Sequence, residues 1–319
     1  MSTATSKTRI TLAYGCIYLV WGTTYLGIAI AIQTLPPFTS GSVRFLLAAT
    51  LMFAWLALRE PAQLRALPWR HALLSGVLLG GAGNGFVVWA QQELPSGTAA
   101  LIVAAIPVEV LLLNWAFFER RRPTRRALVG TGLALAGVTT IVATRHGIGG
   151  EVPPIYMMAI LLAGIAWSIG TLQQKRATRP AQLLGVASVQ MLAAGLFQGS
   201  MALVTREWVG FDSSQVTIAS AVAVLYLAVF GSIIALTSYV WLLTQEPAQK
   251  VATYALVNPV IAVLLGAIVL GETITAATVA GALLVIAGVA LVLFQNVKSP
   301  DVPAHRVPEP RAAGSLDRC

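Results

Sequence analysis

Residues 96–118 read SGTAALIVAAIPVEVLLLNWAFF and contain a single charged side chain, Glu109. An α-helix rises 1.5 Å per residue, so a run of this length crosses the roughly 30 Å hydrocarbon core of a bilayer. A turn sequence, Leu94-Pro95, precedes the run, and a cluster of arginines follows it. The segment therefore predicts a membrane-spanning helix.

The composition of the whole chain agrees with this prediction. Of its 319 residues, 57% are hydrophobic and only 10% are charged, whereas soluble proteins carry roughly 25% charged residues. The fold class that follows is an all-α integral membrane protein with ten transmembrane helices. The ten apolar runs lie near residues 10–32, 38–58, 71–90, 96–118, 127–144, 154–172, 181–205, 216–243, 248–270 and 274–294.

The basic residues sit in short clusters between the apolar runs, which is typical of topology determinants and not of a nucleic-acid surface. With ten helices, 18 of the 21 lysines and arginines fall on the side of the N-terminus and two on the other, while Arg44 lies inside a span. Because lysine and arginine accumulate on the cytoplasmic side, we expect both termini to be cytoplasmic. We also expect the protein to lie in a bacterial-type inner membrane.

The chain repeats itself. Trp21 and Arg44 match Trp167 and Gln190, each pair 146 residues apart. A unit of five helices is odd, so the second copy must enter the membrane from the opposite side, and inverted repeats of this kind are typical of transporters. Further matches, 151 or 152 residues apart, are Trp89 with Trp241, Pro95 with Pro247, Pro107 with Pro259, Gly130 with Gly281 and Gly137 with Gly288.

This organisation predicts five segments. They are a cytoplasmic N-terminus at 1–9, a first repeat at 10–144, a connecting loop at 145–153, an inverted second repeat at 154–295 and a disordered cytoplasmic tail at 296–319.

Three stretches carry a family resemblance: YLVWGTTY at 18–25, VRFLLA at 43–48, and VNPV at 257–260 followed by Leu270-Gly271-Glu272. They resemble the EamA branch of the drug/metabolite transporter superfamily, and within it the bacterial exporters of amino acids, including aromatic ones. The resemblance implies a ten-helix exporter that works by alternating access. It also implies a central cavity lined mainly by helices 1, 3, 4, 6, 8 and 9, with helices 5 and 10 as scaffold.

Two ionisable side chains lie inside predicted spans, and an ionisable residue at such a place suggests a functional site. Arg44 is expected roughly 10 Å from the outer face and Glu109 roughly 20 Å from it, so they pair only if the arginine reaches inward. We predict that Arg44 is structural and donates to backbone carbonyls. Glu109 is either a cavity carboxyl, which would allow proton coupling, or a packing residue neutralised by burial.

Trp21 and Trp167 lie too deep in their helices for an interfacial aromatic belt. With Thr24 and Thr171 one turn further on, they suit a substrate with an aromatic or apolar side chain. Asn84 is either a hydrogen-bonding contact between helices or a substrate contact. The predicted substrate-binding residues are Trp21, Thr24, Asn84, Glu109, Trp167, Thr171, Tyr239, Tyr254 and Asn258.

Prolines and glycines at repeated positions predict structural roles. Pro107 and Pro259 each remove a backbone donor, which predicts matched kinks that hinge or line the cavity, or simple kinks for packing. Gly81 and Gly85 belong to a small-residue pattern that lets helices approach closely.

The predicted function is export of small metabolites, foremost amino acids with aromatic or apolar side chains, by alternating access. The alternatives are a non-transporting scaffold or flippase-partner subunit, or a transporter of another metabolite or drug class. The expected partners are a small-molecule substrate, the lipid bilayer and protons as a candidate coupling ion, with the chain a monomer or weak homodimer. No phosphate-binding loop and no metal-ligand spacing occurs in the sequence, so we expect neither enzyme activity nor a cofactor.

Overall fold

The computed structural model describes residues 3–61, 67, 69–118, 120, 122–144, 151–177, 182–246 and 251–294. Successive helices fill almost all of this part of the chain, joined by short turns. They are α1 (Thr3–Ala31), α2 (Pro37–Arg59), α3 (Trp69–Ala90), α4 (Ser96–Phe118), α5 (Arg125–Thr144), α6 (Pro154–Ala177), α7 (Leu183–Val204), α8 (Ile218–Gln245), α9 (Tyr254–Leu270) and α10 (Ala276–Leu293).

Among the described residues, nine of these helices are long and apolar enough to cross a membrane, and α9 is a shorter apolar helix. Large apolar side chains such as Leu51, Leu128 and Ile268 remain exposed on the outside of the bundle, as expected where lipid is the solvent. The predicted all-helical, multi-pass membrane fold is therefore confirmed. The start predicted for α9 at 248, most of the connecting loop at 145–150, and the tail lie outside the described residues.

Helices α5 and α10 pack backbone to backbone. A Cβ atom at Gly130 would lie 2.6 Å from the carbonyl oxygen of Gly288, and one at Gly137 would lie 2.7 Å from that of Gly281. The equivalent glycines of the two repeats thus meet in reverse order, so the two helices run antiparallel. Because these glycines have no side chain, the backbones of the two helices can approach closely.

The remaining helices cross between the halves. Helix α2 packs on its equivalent α7, while α1 packs on α8 and α9, and α6 packs on α3 and α4. The first helix of each half therefore lies against the third and fourth helices of the other half. This exchange brings α1 and α6 to the centre of the bundle.

Helices α3 and α8 contain wide turns at corresponding places, as π-helical segments at Val77–Asn84 and Leu227–Ile234. Such segments are frequent at functional sites. The sequence did not predict them.

Pro107 and Pro259, for which the sequence predicts matched kinks, differ in their place within the helix. Helix α4 is interrupted at Ala104 and Ala105, and Pro107 lies in the first turn of its second segment, where a missing N–H costs little. Pro259 instead lies inside the uninterrupted helix α9. The two prolines therefore occupy different backbone settings although they match in sequence.

Two carboxylates cap helix starts across the two halves. Glu207, between α7 and α8, accepts hydrogen bonds from the backbone N–H groups of Phe38 (2.9 Å) and Thr39 (2.7 Å) at the start of α2. Glu272, between α9 and α10, accepts one from the N–H of Ser96 (2.7 Å) at the start of α4. Each carboxylate satisfies helix N–H groups that have no partner within their own helix.

Candidate substrate cavity

A cavity of about 80 Å³ lies where the two halves meet, and helices α1, α2, α3, α4, α6, α8 and α9 line it. The resemblance led us to expect six of these helices, and α2 is added through Arg44 and Phe45. The glycines of α3 and α8 at positions 80, 83 and 231 also face the cavity, so the wide turns form part of its wall. Six predicted substrate contacts lie on it: Trp21, Thr24, Asn84, Trp167, Tyr254 and Asn258.

An aromatic wall of four rings, Trp21, Trp167, Tyr239 and Tyr254, stands at one side of the cavity, and all of them except Tyr239 line it. The ring centroid of Trp21 lies 5.6 Å from that of Trp167 and 5.0 Å from those of Tyr239 and Tyr254. The Trp21 ring meets the Trp167 and Tyr254 rings edge to face, at 82° in each case, which is a favoured geometry for aromatic pairs. Four helices thus contribute one ring each to a single apolar surface.

Hydrogen bonds fix the aromatic wall to the neighbouring helices. The indole Nε1–H of Trp21 donates to the carbonyl oxygen of Gly231 on α8 at 3.3 Å. With its amide oriented so that the nitrogen faces them, Asn258 donates to the carbonyl oxygens of Tyr18 and Tyr254, both at 3.1 Å. Asn258 therefore joins α9 to α1 as well as lining the cavity.

Two predicted contacts, Tyr239 and Thr171, lie behind the cavity surface. The hydroxyls of these two side chains hydrogen-bond to each other at 3.0 Å, and neither side chain lines the cavity. The ring of Tyr239 packs against Trp21 and Trp167, so both predicted contacts lie one layer away from the cavity. Their position is suited to supporting the aromatic wall.

Glu109 also lies one layer away from the cavity. Its Oε2 accepts a hydrogen bond from Ser168 at 3.2 Å, and its carboxyl lies against Gly164 of α6, where a Cβ atom would come within 2.6 Å of it. Gly164 itself lines the cavity, so the carboxyl is beside the cavity with one backbone segment between them. Within the described residues Glu109 and Arg44 form no ion pair with each other.

Arg44 lies on the cavity, and its side chain is only 4% exposed. Its Nε donates to Ser232 Oγ of α8 at 2.9 Å, and its Nη1 donates to Asn84 Oδ1 of α3 at 3.3 Å. The expectation that it donates to backbone carbonyls is therefore wrong, because these two side chains take their place. The sequence did contain a signal for cavity lining, since a charge inside a span usually faces a polar space.

The glycines predicted to be structural lie at helix contacts. A Cβ atom at Gly81 would lie 3.0 Å from the ring of Phe197, and one at Gly85 would lie 3.2 Å from Gln198. Both neighbours belong to α7, so these glycines allow α3 and α7 to pack closely. Neither lines the cavity.

A bundle of membrane-spanning helices with an aromatic and polar cavity between two related halves defines a membrane transporter. The sequence profile of the EamA-like transporter family matches residues 10–143 and again residues 154–294. The chain belongs to this family, within the drug/metabolite transporter superfamily. Among the described residues, no group of three or more His, Cys, Asp or Glu side chains is placed to hold a metal ion.

Known relatives are transporters as well. The chain is 35% identical to the uncharacterized inner membrane transporter YedA of Escherichia coli (strain K12), over 81% of this chain and 82% of that protein. It is 26% identical to a probable amino-acid metabolite efflux pump of Salmonella typhimurium (strain LT2), over 87% of this chain and 92% of the relative. A solved crystal structure with a TM-score of 0.62 and 19% identity covers 89% of this chain and 96% of its own, which shows a shared fold.

Proposed function

We propose that this EamA-family transporter exports amino acids with aromatic or apolar side chains across the cell inner membrane. The aromatic wall carries the proposal. Three of its rings, those of Trp21, Trp167 and Tyr254, line a small cavity that also holds the polar groups of Arg44, Asn84 and Asn258. A molecule with one apolar end and one polar, charged end fits such a lining, and an amino acid is of that kind.

The similarity to a probable amino-acid metabolite efflux pump supports the same substrate class and an outward direction. The similarity to an inner membrane transporter supports the location. The distribution of lysine and arginine supports cytoplasmic termini.

Alternating access is the proposed mechanism, with residues 10–144 and 154–295 as the two moving units. The antiparallel packing of α5 on α10 supports an inverted relation between the units. The cavity, at about 80 Å³, is small beside the several hundred Å³ of typical ligand sites. An aromatic substrate would therefore require the halves to part, and the crosswise packing of α1 and α6 provides surfaces on which they can rock.

Counterflow in proteoliposomes tests the substrate class. Vesicles loaded with unlabelled L-phenylalanine should accumulate labelled L-phenylalanine, and aliphatic amino acids should compete according to their apolar size. Trp167→Ala should reduce accumulation at least about tenfold, because it removes one ring of the aromatic wall. Trp55→Ala is the matched control, since Trp55 is 43% exposed on the outside of α2. If folded wild-type protein exchanges no amino acid, the substrate class is wrong.

Glu109 is the proposed site of proton coupling. Its carboxyl lies inside a span and beside the cavity, bonded to Ser168, so its protonation can respond to the state of the cavity. We expect Glu109→Gln to keep counterflow but to lose accumulation driven by a pH gradient. If gradient-driven accumulation is unchanged in the variant, Glu109 is not the coupling group.

A further inference from the structure

Among the residues that the structure describes, the guanidinium of Arg44 is a buried cation without a protein counter-ion. An arginine carries five N–H donors, and two of its nitrogens donate, to Ser232 and Asn84. Both acceptors are neutral. In the part of the chain that the structure describes, no carboxylate pairs with Arg44 and no acceptor engages its other three N–H groups. Burial of an uncompensated charge is costly, so this arrangement calls for an anion from outside the protein.

The free side of the guanidinium faces the cavity. Its Nη2 packs against Gly231 of α8, where a Cβ atom would lie 3.0 Å from it, so the absence of a side chain there allows the guanidinium to lie at the cavity wall. Below the guanidinium, the ring of Phe45 lies 4.7 Å from Cζ and holds the group by a cation–π contact. Ser232, Asn84 and Phe45 thus fix the orientation of the guanidinium at the wall of the cavity that Arg44 lines.

The equivalent position in the second half serves as an internal comparison. Gln190 is 1% exposed, its Nε2 donates to Ser75 Oγ (2.8 Å) and Gln174 Oε1 (3.1 Å), and it does not line the cavity. Of the two equivalent positions, the one with the charge is therefore the one that faces the cavity. A charge needed only to join helices would not require that placement.

The same glycine also connects Arg44 to the aromatic wall. The carbonyl oxygen of Gly231 accepts from Trp21 Nε1, while its Cα side adjoins the guanidinium. A ligand whose anionic group sits at Arg44 therefore has its next atoms beside Trp21. The spacing suits a small molecule that carries a carboxylate close to an aromatic or apolar group.

From this geometry we infer that Arg44 binds the carboxylate of the transported molecule, with Asn84 and Ser232 as its positioning residues. An arginine presents parallel N–H donors that match the two oxygens of a carboxylate. The inference deepens the proposed function and rests on it, since it names the group that every substrate must carry. It replaces the structural role that the sequence suggested for Arg44.

Thermal unfolding of purified protein with matched acid and amide ligands tests the inference. The pairs are L-phenylalanine with L-phenylalaninamide, and phenylacetate with phenylacetamide. A ligand that binds the folded state raises the melting temperature, so wild type should respond to each acid at concentrations at least about tenfold lower than to its amide. Arg44→Gln should lose this preference, and Arg44→Lys should keep part of it. Arg59→Gln, at the exposed end of the same helix, should leave it unchanged.

Asn84→Asp provides a second variant that retains the arginine. It places a carboxylate where Oδ1 already accepts from Nη1 at 3.3 Å, so an internal anion competes with the ligand. We expect the variant to melt at or above the wild-type temperature without ligand and to lose the acid preference. If Arg44→Gln does not fold, Asn84→Asp decides the question.

The outcomes separate the inference from the proposed function. Equal responses to acid and amide in wild type, no response to any acid, or an acid preference that survives in both Arg44→Gln and Asn84→Asp would overturn the inference. If amino acids undergo counterflow while the acid preference does not depend on Arg44, the proposed function stands and the inference fails. If phenylacetate stabilises the protein through Arg44 but no amino acid is exchanged, the carboxylate site stands and the proposed substrate class fails.

Discussion

Arg44 on α2 and Gln190 on α7 occupy equivalent positions of the two halves, and their surroundings differ. Arg44 borders the central cavity, and three of its five N–H groups have no acceptor in the described part of the chain, whereas Gln190 is enclosed and bonded to Ser75 and Gln174. By contrast, the equivalent glycines of α5 and α10 have similar surroundings, because they make equivalent contacts in the two halves. The scaffold thus keeps the symmetry of the repeat, and the cavity departs from it. Departures from internal symmetry are therefore the places to look for substrate recognition.

The largest expected effect is that of placing a charge at the second position. Gln190→Arg buries a cation that has no access to the cavity, so it should lower the free energy of unfolding by about 3–5 kcal/mol. Thermal unfolding and the yield of folded protein measure this. Gln190→Met, which loses the same hydrogen bonds without adding charge, is the control and should cost less. A Gln190→Arg variant as stable as wild type would show that position 190 accommodates a cation as position 44 does, against the difference in surroundings that the structure indicates.

A smaller effect is expected in the symmetric scaffold. A Cβ atom at Gly137 would lie 2.7 Å from the carbonyl oxygen of Gly281, so Gly137→Ala should force α5 and α10 apart and cost about 1–3 kcal/mol. On the same helix, a Cβ atom at Gly132 would meet nothing within 4 Å, so Gly132→Ala should be neutral or slightly stabilising. Melting temperatures of the two variants side by side check this prediction. Equal effects would argue against the close α5–α10 contact.

The smallest effect is expected at the helix caps that tie the halves together. Glu207→Gln weakens hydrogen bonds from Phe38 and Thr39 to a charged acceptor, so it should cost on the order of 1 kcal/mol. Glu272→Gln should cost somewhat less, because its hydrogen bond to Gly97 is long, at 3.2 Å. Glu60→Gln, at the exposed end of α2, controls for loss of charge alone. If Glu272→Gln lowers the melting temperature more than Glu207→Gln does, this order is contradicted.

Most of the fold could be predicted from the sequence, because the length of an apolar run sets the length of a membrane helix. The runs matched the helices to within a few residues where the structure describes them, apart from the start of α1, which lies at Thr3 and not near residue 10, and the start of α9. The interruption of α4 at Ala104 and Ala105 could not be foreseen, since Pro107 only removes a donor and leaves the backbone several ways to respond. The wide turns of α3 and α8 likewise depend on packing against other helices, and the sequence of a single helix does not reveal that packing.

The candidate site could be predicted in part. The depth of Trp21 and Trp167 in their helices pointed to the centre of the membrane, and both rings lie on the cavity. Helical spacing placed Thr24 and Thr171 alike beside the tryptophans, but only the structure shows that Thr171 is bonded to Tyr239 and does not line the cavity. The acceptors of the Arg44 hydrogen bonds lie on α3 and α8, which are distant in sequence. They could therefore not be assigned from the helix of Arg44 alone.

Thiol labelling of the threonines that lie one turn beyond Trp21 and Trp167 tests the central claim, that Thr24 in the first half faces the cavity and Thr171 in the second half does not. Thr24→Cys and Thr171→Cys are each made in a chain whose two natural cysteines are replaced by serine, and a small water-soluble methanethiosulfonate is applied with and without L-phenylalanine. We predict that the Thr24→Cys variant reacts faster and that L-phenylalanine slows its reaction, while the Thr171→Cys variant reacts slowly in both conditions. Equal rates for the two variants, or no protection of the Thr24→Cys variant by L-phenylalanine, would contradict the account.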